Sequence, residues 1–266
     1  MANIFLEAIM NSVNFMDLSQ KETVRASTPY ARMSDEYSLV STQDILETFR
    51  TDGWVPTDYR EKKVRVAERI GKQQHCVVLT RTDAEGSMGS TVPRIMLKNS
   101  HDGTSSLRLL SGLFERICAN GLVVGASAED VRFRHLGLTE EFIRAGIQRV
   151  TSSLERAINL SDRMKAITLY GRQQLEFSQR VIDMVWDGSG YRISPNALLW
   201  NHRQDQRVPT LWNTFNTVQE RIIRGGVTQY RDNGTSIRSR EVKAIDRSIS
   251  LNQGMWDIAE AVCMSC

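Results

Sequence analysis

The stretch NSHDGTSS, Asn99 to Ser106, gathers a histidine, an aspartate and several hydroxyls into eight residues. Nucleophilic catalysis needs a base within hydrogen-bond reach of the nucleophile and a third group to orient the base. His101 and Asp102 are adjacent, and on an extended strand their side chains point to opposite faces. No third partner is identifiable beside them. Asp102-Gly103 reads as a turn, with Asn, Ser and Asp side chains capping backbone groups. The polar turn is the preferred reading. Two others stay open: a phosphate contact in which Asn99, Ser100, His101 and Thr104 donate, and a metal-dependent nuclease built on His101 and Asp102.

Metal and cofactor chemistry find little else to stand on. His75, His101, His135 and His202 are scattered, with no H-x-x-x-H spacing. Asp102, Glu129 and Asp130 are available carboxylates, but their spacing does not group them. No P-loop lysine follows a glycine-rich turn, and the glycines of GLVVG flank apolar residues. Cys263 and Cys266 form a C-x-x-C without the second pair that a zinc site wants. Cys76 lies in an apolar, strand-like run and reads as a buried thiol. No metal and no cofactor are expected.

The distribution of basic residues says more than their total. With 34 Lys and Arg against 31 Asp and Glu the net charge is only +3, which selects no class of partner. Yet Arg203, Arg207, Arg221, Arg224, Arg231, Arg238, Arg240, Lys243 and Arg247 crowd one segment, interleaved with Trp200, Trp212, Phe215 and Tyr230. Arg132 and Arg134 flank Phe133. A single-strand groove uses cations to track phosphates and rings to stack on bases. Glu220, Asp232, Glu241 and Asp246 lie among these cations, so an ordinary solvated face is the competing reading. The candidate nucleic-acid contacts are Lys98, Asn99, Ser100, His101, Thr104, Arg108, Arg132, Arg134, Arg221, Arg224, Arg238, Arg240 and Lys243. Trp54 reads as a core residue.

The elements that must position these groups follow from the hydrophobic pattern. A hydrophobic fraction of 41% over 266 residues supports a real core. The N-terminus lacks a basic n-region and a cleavage site, and no stretch is apolar enough for a membrane span. A cytoplasmic protein is expected. Residues 1–35 read as an irregular arm or short helix. Ser41 is an N-cap for a helix with Ile45, Leu46 and Phe49 on one face, stopped by Gly53. Residues 36–137 read as a β-rich core, with strands at EKKVRV (61–66), HCVVLTR (75–81) and TVPRIMLKN (91–99), and with SSLRLLSGLFERICANGLVVG as a strand or short helix followed by a Gly turn and another strand. DAEGSMGS and CANGLVVG supply turns, and Pro93 marks an edge or a strand start. Residues 138–266 read as mainly helical. Thr139 caps the first helix, with Phe142, Ile143, Ile147, Val150, Leu154 and Ile158 inward. A later helix places Leu211, Phe215, Val218 and Ile222 inward and ends at Gly225-Gly226. YRDNGTSIRSREVKAID reads as a basic hairpin about an Asn-Gly turn, and a last helix spans MWDIAEAV. The fold class is α+β: a curved antiparallel sheet packed against helices, with a helical C-terminal part.

LKNSHDGTSSLRLLSGLFERICANGLVVG, LWNTFNTVQERIIRGG and REVKAIDRSISLNQGMWDIAEAV together resemble the DUF932 family of phage- and plasmid-encoded proteins, over residues 37–262. That family's function is undefined; the resemblance implies a mobile-element setting. The layout YSLVSTQDILETFRTDGWVPTDYREKKVRV is also similar to the start of the Rad52-type annealing core, with Gly53-Trp54 ahead of a long hairpin. That likeness implies a homo-oligomeric ring or filament that binds single-stranded DNA and anneals strands without nucleotide hydrolysis. The alternatives are an interaction protein that inhibits a host defence or host enzyme, and the nuclease.

Overall fold

The computed structural model describes residues 16–81, 91–115, 129–200 and 208–265. The turn at DAEGSMGS, the segment CANGLVVG, Arg203, Arg207 and Cys266 lie outside the described residues. The chain divides into two compact units. The first comprises Met1–Arg116 and Ala128–Leu154; the second comprises Ile117–Ser127 and Glu155–Cys266.

The first unit is a five-stranded antiparallel sheet in the order β1-β2-β3-β4-β5, packed against helices. The strands are β1 (Trp54–Glu61), β2 (His75–Arg81), β3 (Thr91–Asn99), β4 (Leu107–Glu115) and β5 (Asp130–Phe133). Each strand pairs with the next in sequence, as expected of hairpin-connected runs. The first strand falls on Trp54–Glu61 rather than on 61–66. Its pairing with β2, from Trp54 opposite Arg81 to Glu61 opposite His75, overrides the β-branched content of the following residues. Pro93 sits at the start of β3. The β2 register reaches only Arg94, so the missing N–H of Pro93 is not needed there.

Alternation along the strands makes two unlike faces. Val77, Leu79, Ile95, Leu97, Leu107, Leu109 and Val131 form the core face. Helix α1 (Glu22–Arg25) adds Val24. Helix α2 (Thr42–Thr51) adds Ile45 and Phe49, and Trp54 meets Phe49 edge-on at 6.5 Å. Ser41 caps α2, its Oγ accepting from the Asp44 amide at 3.2 Å. Helix α3 (Glu140–Ala166) contributes Ile147, Val150 and Leu154, with Thr139 accepting from the Phe142 amide. Phe142 does not face inward; it is 59% exposed. The inward stripe runs Ile143, Ile147, Val150, Leu154, and Phe142 lies about 100° off it.

The second unit contains α4 (Gly171–Trp186), α5 (Leu211–Arg224), a hairpin of β6 (Thr228–Tyr230) and β7 (Ser236–Arg238), and α6 (Ile245–Ser265). Its interior gathers around Trp212, Phe215 and Trp256. Trp256 packs edge-on against the other two, at 6.2 and 5.5 Å between ring centres. Leu211, Phe215, Val218 and Ile222 are all buried on α5. Cys263 is buried on α6. No helix among the described residues is long and apolar enough to cross a membrane.

Candidate nucleic-acid interface

The NSHDGTSS segment closes the β3–β4 hairpin as a wound polar loop. Asp102 Oδ1 accepts from the Thr104 amide at 3.1 Å and its hydroxyl at 2.6 Å, while Gly103 takes φ 72°. Ser100 Oγ donates to the Ser105 carbonyl and accepts from the Ser105 amide, both at 3.0 Å. The turn reading therefore holds. What the sequence did not announce is that this turn is interior: Asn99, Ser100 and His101 are fully buried and Asp102 nearly so.

The loop is wired to distant residues. Asn99 Nδ2 donates to the Val40 carbonyl and the Thr42 hydroxyl, both at 3.0 Å. His75 Nδ1 donates to the Gln73 carbonyl at 3.0 Å, so its Nε2 accepts from the Thr42 hydroxyl at 2.8 Å. His101 Nε2 donates to the Thr23 carbonyl at 2.8 Å. Its ring packs on that of His75, with centres 5.3 Å apart. Tyr37 donates to the Ser100 carbonyl at 3.0 Å and stacks on His135 at 4.9 Å. Burial pushes both His75 and His101 down to about 4, so both rings are neutral. Burial, helped by the charge of Asp102, pushes the Tyr37 hydroxyl up to about 12.

This geometry corrects part of the candidate list. Asn99, Ser100 and His101 spend their side chains on internal hydrogen bonds and present nothing to a phosphate. The catalytic reading loses its base on the same ground: His101 Nε2 is committed to a backbone carbonyl, and Asp102 to its own turn. Of the candidate contacts in the loop, Thr104 alone is exposed, with its hydroxyl held by Asp102.

The sheet's other face carries a row of cations. Arg60, Cys76, Lys98, Arg108 and Arg132 are register neighbours across β1 to β5, so their side chains share one face. Lys98 and Arg108 are nevertheless buried, along with Val78, Met96 and Leu110 of the adjoining rows. Arg108 clamps Asp130 through two hydrogen bonds of 2.7 and 2.6 Å, and Arg132 reaches the same carboxylate at 3.0 Å. Partial burial pushes the Asp130 carboxyl up, but the two guanidiniums outweigh it and hold the group below its usual range. Lys98 and Arg108 are thus interior, and Arg132 is exposed but already bound to a carboxylate. Arg134 is exposed and has no carboxylate partner among the described residues.

The second unit keeps its cations outside. The hairpin turns through Asn233-Gly234, with Gly234 at φ 82° and the Asn233 side chain accepting from the Thr235 amide. Arg238 and Arg240 are exposed and have no carboxylate partner among the described residues. Lys243 lies 3.6 Å from Glu241, and Arg224 pairs with Glu220 at 2.9 Å. Arg221 is half-buried; its Nε donates to the Ala197 carbonyl at 3.3 Å. The hairpin is braced against the end of α5. The Gly226 amide donates to the Ser239 carbonyl at 2.8 Å, and the Val242 amide to the Ile223 carbonyl at 2.9 Å. Of the aromatics interleaved with these cations, Trp212 and Phe215 are core residues, whereas Trp200 and Tyr230 are exposed. Sequence reasoning missed Arg192, whose backbone bridges Tyr230 beside the hairpin and whose side chain pairs with Asp232 at 3.6 Å.

Comparison with known proteins agrees with the resemblance to the DUF932 family and lends no support to the Rad52-type likeness. The chain is 30% identical over 230 residues to UPF0380 protein YafZ of Escherichia coli (strain K12), covering 86% of this chain and 83% of the relative. UPF0380 protein YfjQ of the same strain matches at the same identity and coverage. No solved structure matches. Residues 29–256 match the family described as "Domain of unknown function (DUF932)", and with that span the chain belongs to this family.

Proposed function

We propose that the chain binds single-stranded DNA through the basic surface of its second unit and promotes strand annealing without nucleotide hydrolysis, as a homo-oligomer encoded on a mobile element. One observation carries the reading: Arg238 and Arg240 stand on an exposed hairpin with no carboxylate partner among the described residues. Cations already paired gain little from a phosphate, because a pair must first be broken. Unpaired arginines on a braced hairpin offer bidentate donors to successive phosphates and release condensed counterions when they bind. Annealing asks only that phosphate repulsion be screened while bases stay accessible. The first unit supports the annealing part of the reading by its layout, in which a short helix leads through Gly53-Trp54 into an antiparallel sheet.

Fluorescence polarisation of a labelled oligonucleotide across a salt series tests the binding. Affinity that falls steeply with salt is expected; no binding at low salt refutes the reading. Light scattering tests the assembly, with a multimer expected and a persistent monomer refuting the annealing part.

A further inference from the structure

Phosphate contacts do not distinguish a single strand from a duplex, since both present phosphates. A device for that choice must touch bases, and the second unit carries exposed rings beside its cations. Trp200 is 65% exposed, and the Arg221 guanidinium lies over its ring at 6.0 Å from the centre. Arg221 is itself fixed, its Nε held by the Ala197 carbonyl. A second pair is similar, though its ring is half-buried: Arg231 lies over the Tyr191 ring at 5.6 Å and donates to the Tyr191 hydroxyl at 3.2 Å. The two pairs are linked through backbone. The neighbour of Tyr191, Arg192, exchanges both backbone hydrogen bonds with Tyr230, at 2.8 and 2.9 Å. From Arg192 the chain runs through the short 3-10 turn Pro195–Ala197 to Trp200.

We propose that Trp200, backed by Arg221, is a stacking platform for an unpaired base, that Tyr191 with Arg231 forms a second, and that these platforms set a preference for single strands. The inference rests on the nucleic-acid reading above. The exposed part of the indole offers a flat apolar face, and the cations beside it favour an anionic partner with flat apolar faces. An arginine over one face of the ring leaves the ring rigid and the local field positive, which suits a base on the ring and its phosphate beside the guanidinium. A duplex hides its bases and gains nothing from the ring.

The test uses the full chain and its W200A, W200F and Y191A variants with a labelled oligothymidylate and a labelled duplex of equal length. W200A should weaken single-strand binding by about tenfold, leave duplex binding and the salt slope unchanged, and be largely rescued in W200F. Y191A should act in the same direction. Intrinsic fluorescence gives a second readout. Trp54, Trp212 and Trp256 are buried and Trp186 is half-buried, so most of the quenching by the single strand should be lost in W200A. Unchanged single-strand affinity in W200A would overturn the proposal, and so would an equal loss for both ligands, which would mean that the ring merely supports Arg221. If the unaltered chain bound neither ligand at low salt, the nucleic-acid reading itself would fall, a result distinct from either of those.

Discussion

Arg108 and Asp130 are diagonal neighbours across the β4–β5 pairing and are joined by two short hydrogen bonds, of 2.7 and 2.6 Å. The guanidinium is almost wholly buried, whereas the carboxylate keeps some solvent and a second cation, Arg132. The two deletions should therefore differ. Asp130→Ala removes the carboxylate that clamps the buried Arg108 guanidinium and should cost about 3 kcal/mol. Arg108→Met leaves Asp130 its bond to Arg132 and should cost roughly 1 kcal/mol. Urea unfolding measures both, and the reverse order would refute the assignment.

The buried histidines make a pH prediction. His75 and His101 titrate near 4 in the folded protein and near the ordinary value of 6.5 when unfolded. Between those values the unfolded chain binds more protons, so stability is full above about pH 6.5 and falls as the pH drops toward 4. The loss is on the order of 3 kcal/mol for each ring. Chemical denaturation from pH 7.5 down to pH 4.5 should show it, and His101→Asn should reduce the slope. A flat profile would contradict the burial of these rings.

Asn99 separates an internal role from a contact role. Asn99→Ala removes the donor that ties the β3–β4 loop to Val40 and Thr42, and should cost about 1–3 kcal/mol. The oligonucleotide affinity of the folded fraction should not change. Lost affinity in a fully folded variant would return this loop to the interface.

Gly225 joins α5 to the hairpin. Its φ of 75° and ψ of −157° belong to a region essentially reserved for glycine. A Cβ there would lie 2.6 Å from the Arg240 carbonyl carbon. Gly225→Ala should lower the thermal midpoint by several degrees and weaken DNA binding, because the backbone carrying Arg240 must move. A variant equal to the parent in both would contradict the brace.

Much of this architecture was readable and some was not, for identifiable reasons. The spans of β2 and β3, the Ser41 cap, the α5 stripe and the Asn-Gly turn are local, encoded in a handful of adjacent residues. The first strand was misplaced because its limits are set by its partner strand. The burial of Asn99 and His101 depends on Thr42, His75 and Thr23, far away in sequence, and no local signal joins them. Lys98 and Arg108 alternate with apolar residues as half-exposed strands do, yet their face is covered. Trp212 and Phe215 looked like stacking rings among arginines, and their packing on Trp256 decided otherwise. The candidate site therefore shrinks to groups outside the core: Arg221 and Arg224 on α5, Arg238, Arg240 and Lys243 at the hairpin, and Trp200 with Tyr191 in the second unit, and Thr104, Arg132 and Arg134 in the first.

If the hairpin arginines hold phosphates, the salt dependence of binding must change in the Arg238→Ala/Arg240→Ala double variant. Each lost phosphate contact on a single strand should flatten the plot of log K against log salt by about 0.7, so the pair should lower the slope by about 1.4. Affinity should fall by more than tenfold at low salt while the thermal midpoint stays put. A double variant with the parent's slope and affinity would contradict the account.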